Sequence, residues 1–142
     1  MKKIIISVMA LLPFSIAAAA DFDGSKPLLC STVNVNECSP DGSCEPVSAR
    51  EVNAPDFFSI DVRKKTVTGT AGGTDRPTNK IDSADVLGGM LMVQGKAANP
   101  EAEGADEGLA WSVAIDTESG YMVLTASGHA AAFVIFGSCI AQ

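Results

Sequence analysis

Three features of this chain predict an all-β fold, an antiparallel meander of about eight strands closing into a small barrel. Leu109, Trp111, Val113 and Ile115 recur at every second position, with Ala110, Ser112, Ala114 and Asp116 between them. That is the period of a strand with one buried face. Short runs of the same kind recur along the chain, separated by turn-forming residues, and no long run has the 3.6-residue period of an amphipathic helix. Consecutive hairpins leave two sheet edges, and closing the meander on itself removes them. A β-sandwich is the alternative architecture.

Taken in order, residues 21–27 read as an irregular lead-in and Leu28–Val35 as a first strand. Cys44–Val52 alternates weakly, with a slip before Val52, and Asn53-Ala54-Pro55-Asp56 breaks it. Phe58, Ile60 and Val62 alternate with Ser59, Asp61 and Arg63, and Thr66–Thr70 resumes after a basic turn, so the two form a hairpin. Ala71–Pro77 is rich in glycine and reads as a loop. Thr78–Asp82 and Met90–Gly95 are two further strands, with Ser83–Gly89 expected to hold a bend or a single helical turn. Lys96–Gly108 carries Glu101, Glu103, Asp106 and Glu107 without an apolar period and reads as a surface excursion. Leu109–Asp116 and Tyr121–Ser127 flank the Asp116–Gly120 turn. Ser127-Gly128-His129 reverses the chain into a last strand, Ala130–Ile140. Both alternations of that strand are apolar: Phe133 and Ile135 on one side, Val134, Phe136 and Ile140 on the other. It is expected to be buried on both sides or to face a partner.

Met1-Lys2-Lys3, the apolar run Ile4–Ile16 and four alanines before Asp21 have the pattern of a cleaved secretory leader, residues 1–20. The run is short for a membrane span. A lipid anchor would require a cysteine at the cleavage point, and the first cysteine is Cys30, so residues 21–142 are expected to be a single domain without a membrane anchor, periplasmic or secreted. Lys2 and Lys3 are two of ten basic residues, and the first twenty positions hold no acid. Residues from 21 onward therefore carry eight basic and seventeen acidic side chains, a net charge of −9. That balance argues against nucleic acid and anionic membrane surfaces as partners.

Four cysteines behind an export signal imply two disulfides. Ser39-Pro40-Asp41-Gly42-Ser43 is a turn that brings Cys38 to Cys44, leaving Cys30 for Cys139, which joins the first strand to the last. The spacing lacks the paired C-x-x-C of structural zinc sites, and no metal is expected.

The opening Phe22-Asp23-Gly24-Ser25-Lys26-Pro27-Leu28-Leu29-Cys30, the Trp111–Gly120 segment and the ending Phe133–Cys139 resemble a family of small exported proteobacterial proteins. The resemblance covers most of residues 21–142 and implies no activity or catalytic residue. Thr125-Ala126-Ser127-Gly128-His129-Ala130 resembles the Ser-Gly loop that periplasmic inhibitors of C-type lysozyme place in the enzyme cleft. It implies an inhibitory turn, although that family's cysteine spacing and aromatic placement are not matched.

No catalytic constellation is legible. His129 lies beside Ser127, but nothing specifies an orienting group or an oxyanion site. The acidic loop lacks the regular ligand spacing of a calcium loop, and Gly69–Gly73 is not a phosphate-binding pattern. No cofactor is expected. The reading is a non-catalytic binding protein, with a periplasmic inhibitor of a lysozyme-like hydrolase and an enzyme of unknown type as the alternatives. Trp111, Met122 and Phe133 are candidates for lining a cavity for a small apolar ligand. Ser127, Gly128 and His129 are candidates for a turn that contacts a protein partner.

Overall fold

The computed structural model describes residues 21–97, 108–128 and 130–142. The expected leader, most of the acidic excursion and His129 lie outside the described residues. Among the described residues there are ten strands: β1 Leu28–Cys38, β2 Cys44–Val47, β3 Phe57–Asp61, β4 Thr66–Ala71, β5 Thr74–Asp75, β6 Asn79–Leu87, β7 Met90–Ala97, β8 Leu109–Asp116, β9 Tyr121–Ser127 and β10 Ala132–Ala141. Eight of them form a closed antiparallel barrel in the order β10-β9-β8-β7-β6-β4-β3-β1, with β10 returning to β1. β2 and β5 are short additions, paired to β1 and β4.

The period of two places one apolar set inside. Phe58 and Ile60 of β3, Leu91 and Val93 of β7, and Val113 and Ile115 of β8 are buried. Each such side chain contributes about 1.5–3 kcal/mol by leaving water. β1 departs from strict alternation. Leu28, Cys30 and Val35 are all buried, because the pairing with β10 shifts between Thr32 and Asn34. Val33 is the extra residue of this bulge and is exposed. Opposite the bulge, β10 carries Gly137, where a β-carbon would run into the Ser31 carbonyl oxygen and Met122 Cε.

Both disulfides pair as the spacing predicts, Cys30 with Cys139 and Cys38 with Cys44. Each links residues directly opposite one another in the ladder. The first bond therefore crosses the seam where the barrel closes.

Several boundaries differ from the sequence reading. β1 runs on to Cys38, and strand geometry after Cys44 ends at Val47. The Ala71–Pro77 loop contains β5, which pairs with β4. The bend expected within Ser83–Gly89 is confined to its last two residues and there is no helical turn: β6 continues to Leu87 and reverses in Gly88-Gly89. Both glycines have positive φ, 60° and 80°, as a type I′ hairpin turn requires. β10 is buried on one side alone, since Ile135 and Cys139 are inside while Phe136 and Ile140 are exposed.

Two segments cover the barrel ends. At the end that carries the β8–β9 turn, the lead-in packs Phe22 over Gly120 and sets Gly24 against Val62 and Leu91. Thr117, buried in that turn, donates its N–H and its hydroxyl to the Gly89 carbonyl, each at 2.9 Å, tying two hairpins together. At the other end, Ala49, Val52 and Ala54 of the β2–β3 connection pack against the core. Arg76 Nη2 donates to Asn53 Oδ1 at 2.7 Å, fixing that connection to the chain after β5.

Candidate functional site

Strand register sorts the candidate lining residues into layers. Trp111, Ala126 and Phe133 are successive cross-strand partners on β8, β9 and β10, so Trp111 and Phe133 share one inward row. The next row inward is Val113, Leu124, Ile135 and Val35. The row beyond is Ile115, Met122, Gly137 and Thr32. Met122 thus lies two rows from Trp111 and Phe133, with a packed layer between, and the three do not line one cavity wall. Met122 is buried in the core, its methyl filling the space that Gly137 leaves. Trp111 and Phe133 are half-buried, and the Trp111 ring lies over Gly95.

The candidate turn lies at the end opposite Gly120. Ser127 and Gly128 are exposed, and the Gly128 N–H donates to the Ala131 carbonyl at 2.9 Å. This bond closes the β9–β10 reversal.

The outer surface holds a constellation that the sequence reading did not assemble. Tyr121, Ser138, Ser31 and Phe57 are successive partners across β9, β10, β1 and β3 and form one outward row. Phe136, Val33 and Ile140 stand beside it. Tyr121 is 71% exposed, Val33 65%, Ile140 61%, Phe57 50% and Phe136 43%. Phe136 forms a ridge between two surface depressions. One, of about 560 Å³, runs along Thr32–Asn36 and Pro46–Ala49. The other, of about 390 Å³, is lined by Met90, Ala114, Tyr121, Met122 and Val123, with Asp116 and Ser119 at its edge. The sequence carries no Asp, Glu, Lys or Arg between Leu28 and Asn36 or between Tyr121 and Gln142. In a chain of net charge −7, this seam is an uncharged field.

Asp116, at the edge of the site, is tied into a turn. Asp116 Oδ1 accepts from the backbone N–H of Ser119 at 2.7 Å, the Ser119 hydroxyl at 2.8 Å and the Glu118 N–H at 3.1 Å. The Ser119 N–H foremost, and then its hydroxyl, hold the Asp116 carboxyl below the usual carboxylate range. Asp116 is thereby the cap of the β8–β9 turn. Among the described residues, no three His, Cys, Asp or Glu side chains converge in a way that could hold a metal ion. Comparison with known proteins returns no match to a family model, a curated protein or a solved structure.

Proposed function

We propose that this is an exported, non-catalytic binding protein that meets a protein partner through the outer face of β9, β10, β1 and β3. The observation that carries this reading is the row Tyr121–Ser138–Ser31–Phe57 with Phe136, Val33 and Ile140 beside it: five large apolar side chains exposed on adjoining strands. A contiguous apolar patch of this kind on a small domain marks an interaction surface. One packed layer lies between Trp111 and Met122, which directs the reading outward rather than to a ligand inside the barrel. The two disulfides fit an oxidising compartment, in keeping with a periplasmic or secreted location.

The test is retention of envelope proteins on the immobilised chain, with the Phe136→Ser/Tyr121→Ser double variant as control. A protein retained by the parent and lost by the variant, and then rebound after purification, supports the outer face. The same set retained by both contradicts it. Inhibition of a C-type lysozyme that is lost on Ser127→Ala and unaffected by the outer-face changes would instead favour the β9–β10 turn.

A further inference from the structure

Among the described residues, β6 carries an open backbone edge. On one side it pairs with β7 from Ile81 to Leu87. On the other it meets β4 only at Asn79 and Lys80, and the last contact is the Ile81 N–H donating to the Lys65 carbonyl at 3.0 Å. The barrel strand β4 begins at Thr66, so Ser83–Leu87 extends past the β3–β4 turn. All five residues are exposed, Val86 47% and Leu87 73%. The two-residue Gly88-Gly89 turn makes Leu87 and Met90 a hydrogen-bonded pair. Alternation along an antiparallel ladder then makes Val86–Leu91 and Ala84–Val93 non-hydrogen-bonded pairs. The N–H and C=O groups of Ala84 and Val86 therefore point away from β7, toward the open edge. Among the described residues, the Val86 N–H is met only by its neighbour's carboxylate, Asp85 Oδ1 at 2.8 Å. β2 also has a free edge, but it is four residues long and contains Pro46, which has no N–H to offer.

The chemistry beside this edge is unlike that of the rest of the molecule. Arg63, Lys64, Lys65 and Lys80 are exposed where the open stretch begins, and they are four of the eight basic residues from position 21 onward. Lys64 pairs with Asp61 at 3.2 Å. Among the described residues, Arg63, Lys65 and Lys80 form no ion pair. A strand added antiparallel to Ser83–Leu87 runs in line with β4 and in the same direction. Its C-terminal end then abuts the Arg63–Lys65 turn.

We propose that Ser83–Leu87 takes up an extended segment of a partner protein by antiparallel strand addition, the segment being apolar at alternate positions and acidic at its C-terminal end, which meets Arg63, Lys65 and Lys80. Backbone bonds to Ala84 and Val86 hold the segment. Its apolar residues lie beside the Val86 side chain, and the basic turn selects polarity and register. The Asp85 carboxylate occupies one donor until the segment displaces it. This inference does not rest on the outer-face reading, because it uses different strands.

The probe is a labelled peptide alternating threonine and valine over five residues and ending in two glutamates with a free carboxylate. Its counterpart ends in two lysines and an amide. Fluorescence polarisation should show saturable binding of the acidic peptide, at least tenfold tighter than the basic one and weakened by salt. In amide NMR spectra, Ala84 and Val86 should shift most. Val86→Pro removes the outward N–H while sparing the β7 ladder and should abolish binding. Arg63→Glu/Lys65→Glu should weaken it tenfold or more, Asp85→Ala should tighten it several-fold, and Phe136→Ser should leave it unchanged. Absence of binding at millimolar peptide, equal binding of both peptides, or full binding by a Val86→Pro variant with an unchanged spectrum elsewhere overturns the proposal. Dimerisation of the chain through this edge, seen by sedimentation and lost in Val86→Pro, also overturns it in favour of a second copy.

Discussion

Gly95 of β7 and Trp111 of β8 are directly opposed, and the indole occupies the volume that a side chain at 95 would need. A β-carbon there would stand 2.5 Å from Trp111 Cζ2 and 2.6 Å from the Lys80 carbonyl oxygen. The carbonyl belongs to the backbone of β6 and cannot swing aside. Gly95→Ala should therefore displace the indole and destabilise the fold by about 1–3 kcal/mol, the usual cost of overpacking. Because Trp111 is the single tryptophan, its emission maximum reports the displacement directly. An unshifted emission with unchanged melting would show that the indole position is not set by Gly95.

The Cys30–Cys139 bond spans 109 positions and the Cys38–Cys44 bond spans 6. In the chain-entropy model the long loop contributes about 5 kcal/mol and the short one about 2 kcal/mol. Cys30→Ala/Cys139→Ala should lower stability in urea more than Cys38→Ala/Cys44→Ala. The larger loss should come with a faster unfolding rate at the seam between β1 and β10. Equal losses would mean that cross-strand pairing at the seam already restricts the reduced chain.

These bonds also show what the sequence made legible. The turn composition between Cys38 and Cys44 is local information, and it leaves one pairing for the other two cysteines. Similarly, the alternation from Leu109 to Ile115 needs no neighbour to be read, although Leu109 itself, expected on the buried face, is exposed. β6 is different: Asp82, Ser83, Ala84 and Asp85 have low strand propensity, and β7 pairing across the Gly88-Gly89 turn orders them. The glycine pair was the available signal for that hairpin. At Val33 the bulge shifts the inward set by one position, a shift invisible without β10 alongside. The outer row of Tyr121, Ser138, Ser31 and Phe57 was not legible for the same reason. It exists only through the registers of four strands that are far apart in the chain.

Acid should weaken the turns before it touches the core. The carboxyls of Asp116, Asp61, Asp41, Asp23 and Glu51 are all held below their ordinary values, chiefly by hydrogen bonds from nearby backbone N–H and hydroxyl groups. A lowered folded-state pKa adds stability that is present above the unfolded value and disappears as pH falls through the folded one. Melting temperature should thus be flat from about pH 7 to 5 and decline below about pH 4. Asp116→Asn keeps an acceptor oxygen but does not titrate, so its melting temperature should fall less steeply with acid. A slope identical to that of the parent would remove Asp116 from the acid-sensitive set.

Met122 and Phe136 provide the sharpest contrast between packing and presentation, since they lie on adjacent strands β9 and β10, respectively 2% and 43% exposed. Met122→Ala deletes a side chain that fills the space over Gly137, and such truncations cost about 2–5 kcal/mol. Phe136→Ser removes a ring that is partly covered on the barrel surface but lies outside the core, and it should cost less than the Met122 truncation, about 1 kcal/mol. Urea denaturation of the two variants separates the cases. A stable Phe136→Ser protein that has lost its partner locates recognition on the outer face. If that variant instead unfolds as readily as Met122→Ala, the ring belongs to the packing of β9 against β10. The exposed row would then lose its claim to be a surface kept free for binding.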